Sequence, residues 1–211
     1  MLTASALVPK LLVVAMVAVC ALLALGAFLA DRTPVRLDVE AAAVRGDAVP
    51  LAIFFTALGR WPVVIGLGAF AAILAESLRT GLAAVLTLLA VQVLSQGTST
   101  LLKLAFHRPR PDAWLHVLEP DFSYPSGHAV TAVVFFVGFA LLVSHAPLPR
   151  PLTTALVVAL AICAVGIMWS RLALSAHYAT DVIGGALLGT AWLSVAFLLI
   201  AGITAHVSPS L

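Results

Sequence analysis

Residues 151–170 read PLTTALVVALAICAVGIMWS, an apolar run closed by Arg150 at one end and Arg171 at the other. A helix of that length rises about 30 Å, the thickness of a bilayer's hydrocarbon core. The same interval recurs along the chain. LLVVAMVAVCALLALGAFLA lies between Lys10 and Asp31, and TGLAAVLTLLAVQVLSQGTSTLL between Arg79 and Lys103. AVTAVVFFVGFALLVS follows His128, and VIGGALLGTAWLSVAFLLIAGITA follows Asp181. A further span is expected from Trp61 to Ala75, with the stretch before it, which holds Arg60, read as interfacial. The first run is longer than the apolar core of a signal peptide and lacks an A-x-A site, so it reads as an uncleaved anchor. These intervals predict an all-α polytopic membrane bundle of six transmembrane helices, with short connectors such as Glu76-Ser77-Leu78-Arg79 making neighbours antiparallel.

Composition points the same way. The 211 residues are 63% hydrophobic and 9% charged, where a soluble domain carries about 25% charged residues. This length is expected to form one domain, residues 1–211. With 11 Lys+Arg against 9 Asp+Glu and no basic block, nucleic-acid binding is excluded as a function class. Cys20 and Cys163 lie inside apolar runs, without metal-ligand or redox spacing. Nothing in the residues specifies an oligomeric state.

Counting spans by parity brings the end of the third, the start of the fourth, the end of the fifth and the start of the sixth to one membrane face. That face collects Lys103, His107, Arg108, Arg110, His116, His128, Arg171, His177 and Asp181. The opposite face receives Lys10, Glu76, Arg79, His145, Arg150 and His206. An ionisable group costs about 2.5 to 3.5 kcal/mol at the centre of a membrane helix, so a cluster at helix ends marks an active site at one face. By Lys and Arg count the rich face has eight (Arg32, Arg36, Arg45, Arg60, Lys103, Arg108, Arg110, Arg171) against three and would be cytoplasmic. Cations held by a ligand are not free topology signals, however, so charge alone leaves the orientation open.

Three short motifs occupy that face. In Lys103-Leu-Ala-Phe-His107-Arg108-Pro-Arg110-Pro111 a helix ends and two prolines forbid its continuation. The planar fork of Arg and the point charge of Lys together suit a phosphoryl group, although cations at a helix end also simply snorkel. In Tyr124-Pro125-Ser126-Gly127-His128, Ser126 stands where an N-cap is expected, and Gly127 and His128 fall in a first turn whose N–H groups attract anions. A histidine beside an anion can deliver a proton to a departing oxygen, while the bland alternative is an ordinary cap. In Ser170-Arg171-Leu-Ala-Leu-Ser-Ala-His177-Tyr-Ala-Thr-Asp181 a helical His177 would share a face with Asp181, whose carboxylate would accept Nδ1–H and leave Nε2 as a nucleophile. Self-satisfaction of the His/Asp pair is the alternative. Zinc is disfavoured, because the spacing is not HExxH and the nearby cations repel a dication.

Taken in order, Lys-x6-Arg-Pro, Pro-Ser-Gly-His and Ser-Arg-x5-His-x3-Asp resemble the three-part signature of the type-2 phosphatidic acid phosphatase superfamily over residues 103–181. The six-span layout resembles the bacterial integral-membrane lipid phosphatases of that superfamily; the vanadium haloperoxidases share the signature but are larger soluble proteins. The resemblance implies a phosphatase that needs no metal or other cofactor. In it His177 attacks phosphorus, Asp181 orients His177, and His128 protonates the leaving group and then activates water. Lys103, Arg110, Arg171, Ser126 and the Gly127 N–H would hold the phosphoryl oxygens. Arg108, His107 and Ser170 are second-rank candidates that read more simply as loop packing or snorkelling. The resemblance also implies a multi-pass protein of the plasma (inner) membrane with the site outside the cytoplasm and both termini inside. Undecaprenyl diphosphate, phosphatidic acid, phosphatidylglycerol phosphate and lipid A phosphate all present the required group, and the residues do not choose among them. Phosphotransfer to another lipid keeps the same site. An anion or lipid transporter is the reading from another class, disfavoured because the charges lie at helix ends and no repeat is evident.

Overall fold

A computed structural model describes residues 4–30, 34–112 and 119–207. Among the described residues, five helices are long and apolar enough to cross a bilayer: α1 (Ala4–Leu29), α5 (Leu82–Phe106), α6 (Gly127–Ser144), α7 (Arg150–Ala173) and α8 (Ala179–Val207). Between α1 and α5 run three shorter ones, α2 (Arg36–Ala41), α3 (Val49–Leu58) and α4 (Trp61–Ser77). The 17 apolar residues of α4 stand at the short end of the spanning range. Arg60 and Pro62 start it: Arg60 is the N-cap, and Pro62 occupies the first turn, where no N–H is needed.

The stretch before α4, expected to be interfacial, forms a helix that packs on the bundle: α3 docks along α7 with the Phe55 ring closing on Gly166 and set edge-on to Trp169. Helix α6 sits at the centre of the bundle, packed by α5, α7 and α8, while α1 lies outside α8 and α4 outside α5. Lipid tails are as apolar as leucine, so close packing and interhelical hydrogen bonds hold such helices together. Gly138 meets Leu88 of α5, Gly189 meets Val133 of α6, and Thr131 accepts hydrogen bonds from both Gln92 and Gln96 at 3.0 and 2.9 Å. Each such bond contributes about 0.6 kcal/mol. A π-helical segment, Ala132–Val137, interrupts α6 one turn beyond His128, a feature common beside functional sites.

Candidate active site

The ends of α5 and α7 and the starts of α6 and α8 converge, and each end has a local cause. Helix α5 stops at Phe106 because His107 turns left-handed (φ 49°) while its N–H still bonds the Lys103 carbonyl. Pro109 and Pro111 then keep the chain extended. Helix α7 stops at Ala173; Ser175 is left-handed (φ 53°), and the N–H groups of Ala176 and His177 return to the Arg171 carbonyl. His177 therefore lies in a turn and not, as expected, in a helix. The i,i+4 proximity survives because Asp181 stands in the first turn of α8, where its Oδ2 takes the Tyr178 N–H at 2.9 Å.

Ser126 is the N-cap of α6 by position, yet its Oγ makes no capping bond and is buried without a protein partner. Its backbone N–H instead donates to the Asp181 carbonyl at 3.0 Å, which pins the second motif to the third. Helix α8 passes so close that a Cβ on Gly185 would stand 2.3 Å from the Ser126 carbonyl oxygen, which explains a glycine there. Tyr124 anchors the same turn from the other side, its hydroxyl donating to the Leu22 carbonyl of α1 at 2.6 Å.

His177 is 1% exposed, with Asp181 Oδ2 3.4 Å from its Nδ1. Arg110 Nη1 lies 2.9 Å from Nε2. A guanidinium can only donate, which assigns the lone pair to Nε2 and the proton to Nδ1; at 3.4 Å Nδ1 faces the Asp181 carboxylate without the hydrogen bond that was expected between them. Burial, and then the fields of Arg110, Arg171 and Lys103, hold the His177 imidazole well below its ordinary pKa, keeping the ring neutral. His128 is fixed by a hydrogen bond to the Thr56 backbone, its Nε2 is buried without a protein partner, and Gly59 lets α3 close on the ring edge. His128 and His177 both line a cavity of about 460 Å³ together with Arg60, Trp61, Gln96 and Lys103.

The three motif cations meet carboxylates that the motifs do not contain. Glu119 bridges Arg171 at 2.6 Å and Arg110 at 2.9 Å, and reaches within 4.0 Å of His177 Nε2. Asp121 pairs with Lys103 at 2.5 Å and with Arg110. Burial works against the Asp121 anion, but the Lys103 and Arg110 cations outweigh it and hold the carboxyl below its ordinary range. Arg171 also donates to Thr56 Oγ1 at 2.5 Å. Two anions thus stand where the three motif cations converge, one of them within 4.0 Å of His177 Nε2.

Arg108 is not a snorkelling cation. It is sealed from solvent, 2.6 Å from Asp181 Oδ1 and 2.7 Å from Asp38 Oδ2. Of the remaining candidates, His107 is exposed and stacks edge-on to Phe122, and Ser170 bonds back to the Ile167 carbonyl. His116 and Arg32 lie outside the described residues.

Residues 82–204 match the model of the PAP2 superfamily, and this interval contains all three motifs. The chain belongs to the PAP2 superfamily. Its similarity to PAP2 phosphatases extends to particular proteins. A phosphatidylglycerophosphatase B of Bacillus subtilis (strain 168) is 37% identical over 89 residues, covering 42% of this chain and 44% of that one. A lipid A 1-phosphatase of Rhizobium johnstonii is 36% identical over 107 residues, 46% of this chain and 39% of its own length. The match therefore spans less than half of either curated relative. The crystal structure of a transmembrane PAP2 type phosphatidylglycerolphosphate phosphatase from Bacillus subtilis is similar with a TM-score of 0.74 at 25% identity, covering 92% of this chain and 97% of that one.

Sequence reasoning missed Asp38, Thr56, Glu119 and Asp121 as neighbours of the site. A weak signal existed for Glu119 and Asp121, two acids between motifs otherwise rich in cations, but no spacing rule assigns them partners.

Proposed function

We propose that this chain is a metal-independent lipid phosphate or diphosphate phosphatase working through a phosphohistidine. The observation that carries the reading is the Nε2 lone pair of His177, held beside Arg110 with Lys103 and Arg171 around it and Asp181 behind the opposite nitrogen. In the first step Nε2 attacks phosphorus, the bond from phosphorus to the lipid oxygen breaks, and His128, protonated on both nitrogens beside the bound phosphate, gives its Nε2 proton to that oxygen and becomes neutral. Asp181 stabilises the positive ring that results. In the second step His128 takes a proton from water as the water oxygen bonds phosphorus, and the P–N electrons return to Nε2. Lys103, Arg110, Arg171, the Ser126 hydroxyl and the Gly127 N–H hold the equatorial oxygens, displacing Glu119 and Asp121. Positioning and fixed charge supply most of the catalysis such a transition state needs.

The substrate class is a phosphorylated lipid with its headgroup at the membrane surface: phosphatidylglycerol phosphate, lipid A phosphate, phosphatidic acid or undecaprenyl diphosphate. The names of the relatives favour the first two. We place the chain in the plasma membrane as one integral-membrane phosphatase domain, with the site on the extracytoplasmic side and both termini in the cytoplasm. Phosphate release by detergent-purified protein in EDTA tests the reading across those four lipids. Wild type is expected to release phosphate and His177→Ala is not. Activity surviving in His177→Ala would refute the nucleophile; transfer of the phosphoryl group to an added lipid alcohol in place of release would make the enzyme a phosphotransferase.

A further inference from the structure

Asp38 lies outside the three motifs and outside the matched residues 82–204, on the short helix α2. Its carboxylate is nevertheless fully enclosed, with four donors around it. Oδ1 accepts from the Thr180 N–H at 3.0 Å and the Thr180 hydroxyl at 2.8 Å; Oδ2 accepts from the Val35 N–H at 3.2 Å and from Arg108 Nη2 at 2.7 Å. Arg108 carries the connection inward. Its Nη1 lies 2.6 Å from both Asp181 Oδ1 and Thr180 Oγ1, and the guanidinium sits 4.4 Å from the centroid of the Tyr178 ring. Asp181 then faces His177 through its other oxygen.

We propose that Asp38 is a positioning residue of the reaction, holding Arg108 and Thr180 and through them the Asp181 carboxylate behind His177. The role rests on the phosphohistidine reading. Charge makes the connection more than a staple. Asp38, Arg108 and Asp181 together carry one net negative charge, so Arg108 is shared and does not neutralise Asp181 alone. A carboxylate left with surplus charge can stabilise the positive ring that forms when Nε2 bonds phosphorus. Without Asp38 the whole guanidinium charge falls on Asp181, just when that carboxylate is needed by His177. Geometry adds to this, because the two bonds from Thr180 to Asp38 fix the first turn of α8, on which Asp181 stands.

The test is a double-mutant cycle on detergent-purified full-length protein, with phosphate release and thermal midpoint measured for Asp38→Asn, Asp181→Asn and the double variant. Asp38→Asn is expected to lower kcat by about 10- to 100-fold with KM changed less than about twofold, since the interaction it removes matters in the transition state. In the Asp181→Asn background the same change is expected to cost less than about twofold, as residues acting through one another are not additive. Glu40→Gln, an exposed position on the same helix, is the reference and keeps the wild-type rate. A wild-type kcat in Asp38→Asn, or two losses that multiply in the double variant, overturns the proposal. If Asp181→Asn falls below detection, the split between kcat and KM and a rescue by Asp38→Glu, which restores the charge, decide. If Asp38→Asn unfolds and Asp38→Glu is as slow as a misfolded control, Asp38 belongs to the fold alone and the proposal fails. Full activity in His177→Ala refutes the phosphohistidine reading itself, a result distinct from any of these.

Discussion

Arg108 and Arg110 stand two residues apart on one proline-stiffened turn and face opposite surroundings. Arg108 and its partners Asp38 and Asp181 are all 0% exposed, whereas Arg110, 6% exposed, pairs with Glu119 and Asp121 at 28% and 50%. Both are arginine–carboxylate constellations, and the difference is access. A sealed pair cannot trade its carboxylate for anything from outside, which suits Arg108 to holding the frame. A half-open pair can exchange a loop carboxylate for a phosphate, which suits Arg110 to the phosphate-binding role proposed for it.

The largest effect should fall where the open constellation meets the nucleophile: His177→Ala is expected to reduce phosphate release by at least about 10³-fold while leaving the thermal midpoint near wild type. An unfolded variant, or one with a small loss, would mean that His177 belongs to the frame. Next comes the sealed partner. Arg108→Gln leaves Asp38 and Asp181 enclosed together without their cation, and breaking such a buried pair costs about 3 to 5 kcal/mol of stability. Thermal unfolding in detergent should show this as a clear drop, and an unchanged midpoint would break the comparison. Arg110→Lys should do the reverse, costing roughly 10²-fold in rate through loss of the planar fork with little change in stability.

A smaller effect tests exchangeability directly. Replacing both Glu119→Gln and Asp121→Asn removes the anions that compete for the cations, so the inhibition constant for inorganic phosphate should fall by about fivefold, the range expected for half-exposed pairs. Weaker phosphate inhibition would mean that these acids build the site and do not merely fill it.

How much of this was legible before the structure follows from the same contrast. The spans were readable because charge-free intervals of membrane length are a local property. The motif residues were readable because Lys103, Arg110, His128, Arg171 and His177 sit at helix ends that parity alone brings to one face. The Asp38–Arg108 pair was not, because its members lie 70 residues apart and Asp38 stands among Arg36, Glu40, Arg45 and Asp47, a mixed run that looks solvated. Arg108 read as a snorkelling cation for a similar reason: only a tertiary partner tells a sealed arginine from an interfacial one. The docking of α3 on α7 escaped notice because a ten-residue apolar helix has no length signal to separate it from an interfacial segment.

The smallest expected effect concerns protons. An imidazole that stays neutral far below its ordinary pKa of 6.5 keeps its Nε2 lone pair as the solution is acidified. The acid limb of kcat/KM due to His177 should therefore lie below pH 6.5. Burial is the largest cause and Arg110 the next, so Arg110→Gln should move that limb upward in its residual activity. Stability follows the same sign. Between the folded pKa and 6.5 the unfolded chain binds a proton at this position and the folded chain does not, so the His177 contribution is intact above pH 6.5 and is lost as pH falls toward the folded value. Thermal midpoints measured from pH 7 to 4 should decline more steeply in wild type than in His177→Asn. Parallel curves would mean that the ring is protonated in the folded protein, and the neutral nucleophile beside Arg110 would then have to be given up.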